Sequence, residues 1–264
     1  ISSLLYADDV VMFASKTDIV RLLCIAENHS KEFGYQWHPN KCAIIDLVIT
    51  TMTSIDDGNV GMQNVPTYWL YTKTIPMVKT FKYLGIPFNQ FGIDSDLFIN
   101  QRITKATRSI ALLRQLGIQQ YGVGLWPALR AYRTFVHPVM EYGIAISTLS
   151  QVQIDKLDKA QKGCIKMTLN HNAKIQFPTI VPVVMANILL MKIRTYTLQF
   201  KFVTQLQNLP VSTLVKSIEL SFLWNKNPDE HWKKLSTRNQ FYQLYNKLKK
   251  SPKPPNDLIS ATIQ

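Results

Sequence analysis

Two apolar, β-branched runs flank one polar pair at the start of the chain, Ser3-Leu4-Leu5-Tyr6-Ala7-Asp8-Asp9-Val10-Val11-Met12-Phe13-Ala14. That pattern predicts a buried β-hairpin with carboxylates at its tip. After Ser15-Lys16-Thr17-Asp18, apolar positions at Ile19, Leu22, Leu23, Ile25, Ala26 and Phe33 make an imperfect helical stripe that Gly34 ends. Residues 35–49 return to strand-like character. Residues 50–66, with Asp57-Gly58, Gly61 and Pro66, read as a turn-rich connection, and Val78 to Phe88 as a further strand or hairpin.

From Asp94 onward the period becomes helical, with Ser95 a candidate N-cap and Gly117 a candidate stop. Ile103, Ala106, Ile110 and Leu113 recur at helical spacing, while Arg102, Lys105 and Arg108 fall on a different face. Residues 151–169 repeat the arrangement, with Ile154, Leu157, Cys164 and Ile165 facing one way and Lys156, Lys159, Lys162 and Lys166 the other. Each basic stripe also fits a solvated helix face. Residues 183–207 hold only Lys192, Arg194 and Lys201 as charges, which suits a helix packed on most sides. The stretch from Leu220 to Lys250 is basic and aromatic (Trp224, Trp232, Phe241, Tyr242, Tyr245), a composition that suits base stacking or core filling. Ser251-Pro252-Lys253-Pro254-Pro255 reads as an extended tail. Hairpins followed by helices predict an α+β chain.

Charge sharpens this division. Residues 1–100 carry 7 Lys and Arg against 10 Asp and Glu, whereas residues 101–264 carry 23 against 7, out of a net +13. A mildly acidic first part and a basic second part suit a metal held by one and a polyanion held by the other. The 264 residues are 46% hydrophobic and 18% charged, enough to bury a sizeable core. Cys24, Cys42 and Cys164 are too scattered for a disulfide framework or a CxxC zinc site, and the five histidines form no HExxH pair, so no structural zinc is expected. The most apolar stretch, Phe177 to Met191, contains Pro178 and Pro182 and falls short of the roughly 20 residues a spanning helix needs, so no membrane segment is expected. An intracellular site, nucleus or cytoplasm, follows as the expectation.

Adjacent carboxylates at an apolar hairpin tip repel each other by several kcal/mol at about 4 Å and an effective dielectric of about 20. A pair of Mg²⁺ or Mn²⁺ ions about 3.5–4 Å apart is the natural counter-charge for an oxygen-only donor set. Here Tyr6-Ala7-Asp8-Asp9 resembles the Tyr-x-Asp-Asp box of reverse transcriptases, in the form used by non-LTR (LINE-like) retrotransposons. His38-Pro39-Asn40-Lys41-Cys42 resembles the family's Leu-Asn-x-x-Lys segment, with Trp37 and His38 where Leu and Asn are usual. Phe81-Lys82-Tyr83-Leu84-Gly85 is similar to its Phe-x-Tyr-Leu-Gly hairpin, and the strings from Phe135 to Gly143 and from Leu157 to Gln161 are similar to stretches that follow the polymerase.

The resemblance implies the C-terminal part of a palm over residues 1–93, a thumb-like helical region over 94–145 and a basic helical region over 146–264. It implies Asp8 as the essential metal ligand, Asp9 as the supporting one, and Tyr6 beside the primer end. Lys41 would approach the triphosphate, although a solvated lysine explains it equally. Lys82, Tyr83 and Gly85 would form a primer grip, with Tyr83 as readily a core aromatic, and Arg102, Lys105 and Arg108 would touch phosphates. The implied partners are an RNA template, a DNA primer and dNTP. The apolar opening at Ile1 reads as a cut inside a domain. The fingers and the first palm carboxylate would have to precede it, so the chain is expected to be inactive by itself. The competing reading is a catalytically dead module that only binds nucleic acid. Oligomeric state is not legible.

Overall fold

A computed structural model describes residues 3–46, 67–119, 121–169, 180–185, 187–224, 234–235 and 239–250. The chain divides into two compact units, residues 1–94 and 95–264, and its described elements are small antiparallel sheets with one α-helix in the first and helices in the second. This is the α+β composition the sequence predicts.

In the first unit, β1 (Ser3–Tyr6) and β2 (Asp9–Met12) pair antiparallel with Leu5 opposite Val10 and Tyr6 opposite Asp9. The hairpin is present but not buried. All four β1 residues are exposed, with Leu5 at 73%. The reason is topological: β1 hydrogen-bonds to β2 alone, so among the described residues nothing covers its outer side. Helix α1 (Asp18–Glu32) starts where the Ser15 hydroxyl accepts the Asp18 N–H at 3.1 Å and ends before Gly34, whose φ of +70° is a helix-terminating conformation. It buries Leu23 against Tyr68, Leu70 and Ile75.

Those last three belong to a hairpin that sequence reading missed, β3 (Tyr68–Leu70) with β4 (Lys73–Ile75). Tyr71 at its turn donates or accepts at the Ser30 hydroxyl (2.7 Å), accepts from the Trp37 N–H (3.1 Å), and gives its own N–H to the Glu27 carboxylate. The strand-like reading of residues 35–49 is corrected over 35–46. Pro39–Lys41 closes a 3₁₀ turn in which the Lys41 and Cys42 N–H groups bond to His38 and Pro39 carbonyls, so they are not offered to a strand partner. Only a parallel bridge between Ile44 and Met77 remains. Residues 47–66, including the turn-rich connection, lie outside the described residues. The hairpin expected over 78–88 is β5 (Thr80–Tyr83) with β6 (Ile86–Asn89), extended by β7 (Gly92–Ile93).

The second unit opens with α2 (Ser95–Gln115), stopped by Gly117 at φ +75°. Its buried stripe is Phe98, Ile99, Arg102, Ala106 and Ile110, while Ile103 and Leu113 are only half-buried. Helix α3 (Leu125–Ala131) runs through a π-helical segment, Tyr132–Val136, into α4 (His137–Glu141). Pro138 accounts for the widening: it has no N–H to give the Thr134 carbonyl and its ring crowds that carbonyl, so the helix opens and His137 N–H reaches back to Tyr132.

Helix α5 (Gln151–Thr168) begins with a reciprocal cap. The Gln153 N–H donates to Ser150 Oγ at 3.3 Å, and the Ser150 N–H donates to Gln153 Oε1 at 2.9 Å. Ile154, Leu157, Cys164 and Ile165 are buried as the period requires; Lys156 and Lys159 are exposed, and Lys162 and Lys166 half-buried. The continuous helix expected over 183–207 is corrected to two, α6 (Ile180–Met185) and α7 (Met191–Gln207). Asn187 takes φ +47°, and the Asn187 and Ile188 N–H groups turn back to the Val184 and Val183 carbonyls, which ends α6. Helices α8 (Leu214–Trp224) and α9 (Gln240–Lys250) follow.

Two aromatics of α9 fill contacts with α7: Phe241 meets Tyr196 edge-on at 6.2 Å and Tyr245 meets Phe200 at 5.5 Å. Tyr242 accepts a bond from Gln207 at 2.6 Å. All three are half-buried, and the ring contacts with α7 favour a packing role for Phe241 and Tyr245. Trp232, the Trp224 side chain and the proline tail lie outside the described residues. No helix among them is long and apolar enough to cross a membrane.

Burial also separates the thiols. Cys24 is exposed and Cys42 half-buried, while Cys164 is buried and its pKa is pushed up to about 11 by desolvation. With a folded pKa that high, the Cys164 thiolate is scarce at pH 8. A disulfide-exchange reagent is expected to titrate Cys24 at once and Cys164 only after denaturant is added. Three fast thiols in the native protein would contradict this packing.

Candidate functional site

The β1–β2 tip is a two-residue loop, Ala7-Asp8, set by the Tyr6–Asp9 pairing. Ala7 has φ +52° while Asp8 does not share that sign, the order of a II′ turn, where the right-handed twist of two strands is preserved. Placing a side chain there strains the backbone, since glycine is the residue that reaches positive φ freely. The product of that geometry is a pair of solvent-facing carboxylates, Asp8 in the loop and Asp9 as the first residue of β2, with Tyr6 directly across from Asp9 on one face of the ribbon. Four carboxylate oxygens at an open tip form a hard donor set that fits Mg²⁺ or Mn²⁺. Among the described residues no group of three or more His, Cys, Asp or Glu side chains comes together, so these two are not joined there by a third ligand.

Lys41 is exposed at the end of the 3₁₀ turn. Its segment is packed on the same core as the carboxylate hairpin: Met12 from β2, and Trp37, Cys42 and Ile44 from around the turn, all lie against the Leu23, Tyr68, Leu70 and Ile75 cluster. Lys16, just beyond β2, pairs with Asp46 at 2.8 Å, and that carboxylate holds the Lys16 pKa above its ordinary value. Hairpin and lysine segment are thus tied at both ends of the turn.

The β5–β6 tip is a second two-residue loop, Leu84-Gly85, with φ +47° and +77°. Positive φ at both positions is the I′ arrangement, which explains the glycine. Lys82 is exposed and Tyr83 half-buried, so Tyr83 is neither a core aromatic nor fully free to a ligand.

The basic stripe of α2 is where the structure departs from the sequence reading. Arg102 is 4% exposed, its guanidinium 5.1 Å from the Phe98 ring centre and 4.6 Å from that of Tyr142. Burial lowers its pKa, and a guanidinium sandwiched by two rings does not reach a phosphate. Lys105 and Arg108 remain exposed. Arg102→Met, which keeps the stem and drops the charge, is expected to change the stability of the unit by about 1–3 kcal/mol in either direction while leaving the salt dependence of nucleic-acid binding unaltered. Lys105→Gln with Arg108→Gln is expected to do the reverse, measured by denaturant melts and salt titrations.

The two later strings have structural explanations. In the Phe135–Gly143 string, Val136 and Met140 are core, Glu141 receives a forked bond from Arg194 and lies 3.3 Å from His137 Nδ1, and Gly143 takes φ +82°. In the Leu157–Gln161 string, Leu157 is core, and Asp158 and Gln161 cap α7 by accepting the Lys192 and Met191 N–H groups at 3.1 and 3.2 Å.

Sequence reading also passed over a surface. Trp126, Arg130 and Arg133 share an exposed side of α3 and its π extension, away from buried Ala128, Leu129, Tyr132 and Val136. The signal was available: there is no Asp or Glu between Asp96 and Glu141.

No family model, curated protein or solved structure matches this chain. What can be said of its activity rests on its own residues.

Proposed function

We propose that the chain is part of an RNA-directed DNA polymerase of the non-LTR retrotransposon type, with residues 1–94 in the role of the palm from its second carboxylate motif onward and α2 leading a thumb. The observation that carries the reading is the Tyr6–Asp9 hairpin, whose two-residue loop presents Asp8 and Asp9 side by side to solvent. The second tight hairpin at Tyr83–Ile86 and the Lys41 turn, whose segment shares a core with Met12 of the carboxylate hairpin, support it.

Mg²⁺ or Mn²⁺ bound by Asp8 and Asp9 supplies charge neutralisation for nucleotidyl transfer, together with at least one more carboxylate from outside the described residues. Asp8 and Asp9 contribute the negative charge that holds such ions at the tip. Tyr6, beside Asp9, shapes the floor against which a primer end rests. Lys41 places a positive charge where a triphosphate gathers negative charge. Lys82 and Tyr83 grip the primer strand, and Lys105 and Arg108 contact phosphates without reading sequence. The partners are then an RNA template, a DNA primer and dNTP, in the nucleus or cytoplasm.

Primer extension on an RNA template, by the polypeptide from the whole reading frame that contains this chain, tests the proposal. Template-dependent DNA synthesis with Mg²⁺ is the expected result. Retained binding of an RNA–DNA hybrid without any synthesis would overturn it in favour of a module that only binds nucleic acid.

A further inference from the structure

We infer that the outer side of α3 and its π extension is a binding surface for single-stranded nucleic acid, in which Trp126 stacks on a base while Arg130 and Arg133 hold the adjoining phosphates. This reading stands on residues 95–264 alone and does not need the carboxylate hairpin to be catalytic.

A tryptophan is a large apolar ring that folding normally hides, yet Trp126 is 70% exposed. The two arginines follow at spacings of four and three residues, one helical turn each, and are exposed as well. Ala128, Leu129, Tyr132 and Val136 take up the packing side of the same helix, so exposure of Trp126 is set by the helix's rotation and not by a frayed end. Tyr121, in the loop before α3, is 77% exposed and adds another ring.

The charge environment selects the partner. From residue 97 to residue 140 the chain has five arginines and one lysine and no carboxylate. Of these six cations Arg102 is withdrawn into the core, and Arg130 and Arg133 form no ion pair with a carboxylate among the described residues. A stretch of chain without carboxylates, with an exposed aromatic one helical turn before two guanidinium groups, offers something to both halves of a nucleotide: every base has a face to stack, and every linkage has a phosphate. A duplex keeps its base faces covered. The ring therefore favours a single strand, whereas Lys105 and Arg108 on α2 offer charge alone.

Binding of a fluorescein-labelled oligo(dT) strand and of a duplex of equal length, each over a salt series, tests this on the whole chain. Trp126→Ala is expected to weaken oligo(dT) binding by about tenfold and duplex binding much less, with Trp126→Phe retaining most of the affinity because its ring still stacks. Arg130→Gln with Arg133→Gln is expected to flatten the log–log salt slope for the single strand by about 0.7 per arginine. An exposed side chain is not needed for folding, so circular dichroism of Trp126→Ala should match the parent. Unchanged oligo(dT) binding by Trp126→Ala would overturn the inference. So would an equal loss on duplex and single strand, or a preference for phosphatidylserine vesicles over oligo(dT).

Discussion

Asp8→Asn is expected to reduce primer extension by the full-reading-frame polypeptide about 10³-fold, corresponding to the several kcal/mol that a metal-centred charge contributes to a transition state. The substitution is nearly isosteric, and Asp8 is exposed in the Ala7-Asp8 loop, so the hairpin register and the stability of the unit should stay within about 0.5 kcal/mol of the parent. The same change at Asp9, the first residue of β2, is expected to cost less, because the proposal gives Asp8 the essential place at the metal and Asp9 the supporting one. Single-turnover extension separates this from weaker binding, since hybrid affinity measured in the same variant should be nearly unchanged. A variant that keeps more than about a tenth of the parent rate would remove Asp8 from the metal site.

Gln161→Leu is expected to destabilise the helical unit by about 3–5 kcal/mol, with little effect on residues 1–94. Gln161 is fully buried, donates to the Leu189 carbonyl at 3.0 Å and accepts from the Met191 N–H at 3.2 Å. Leucine fills the space but leaves a carbonyl and the first N–H of α7 buried without these bonds, each costing about 1–3 kcal/mol. The buried Tyr132 hydroxyl also shares a hydrogen bond with Gln161, but it keeps a second partner in Met140 Sδ at 3.9 Å and is affected less. Asp158→Ala, which loses one cap to Lys192 in a partly buried place, should cost nearer 1 kcal/mol. Urea melts followed by helical signal measure both. A Gln161→Leu midpoint close to that of the parent would mean that α6 and α7 are held apart by their own sequences and not by α5.

Where local periodicity and turn chemistry govern the outcome, the residues announced it. The hairpins at the start of the chain and over residues 80–89, the stop at Gly34, and the inward face of α5 all follow from neighbours within a few positions, although the first tip turns at Ala7-Asp8 and not at the Asp8-Asp9 pair. The carboxylate tip was legible for the same reason: its strand pairing runs entirely within Ser3 to Met12.

Contacts between distant residues decided the rest. On α2 the rows through Phe98, Arg102, Ala106 and Ile110 and through Ile99, Ile103, Ala106 and Ile110 are equally regular. Both supply core residues, Phe98 and Ile99 alike, and they part at one position: Arg102, with the ring of Tyr142 from forty residues later in the chain against it, is buried, and Ile103 is only half-buried. The break between α6 and α7 depends on Asp158 and Gln161, about thirty residues earlier, and the position of Lys41 relative to the hairpin on a core it shares with β3 and β4. By itself, then, the sequence determined which side chains lie on a common face and where Gly34 and Gly117 stop a helix, because those are properties of backbone spacing and of near neighbours, whereas it did not announce the turns at Tyr71 and Asn187. Which faces meet water, and with them the burial of Arg102 and the exposure of Trp126, only the tertiary structure decided, because burial is settled by whichever distant surface arrives to cover it.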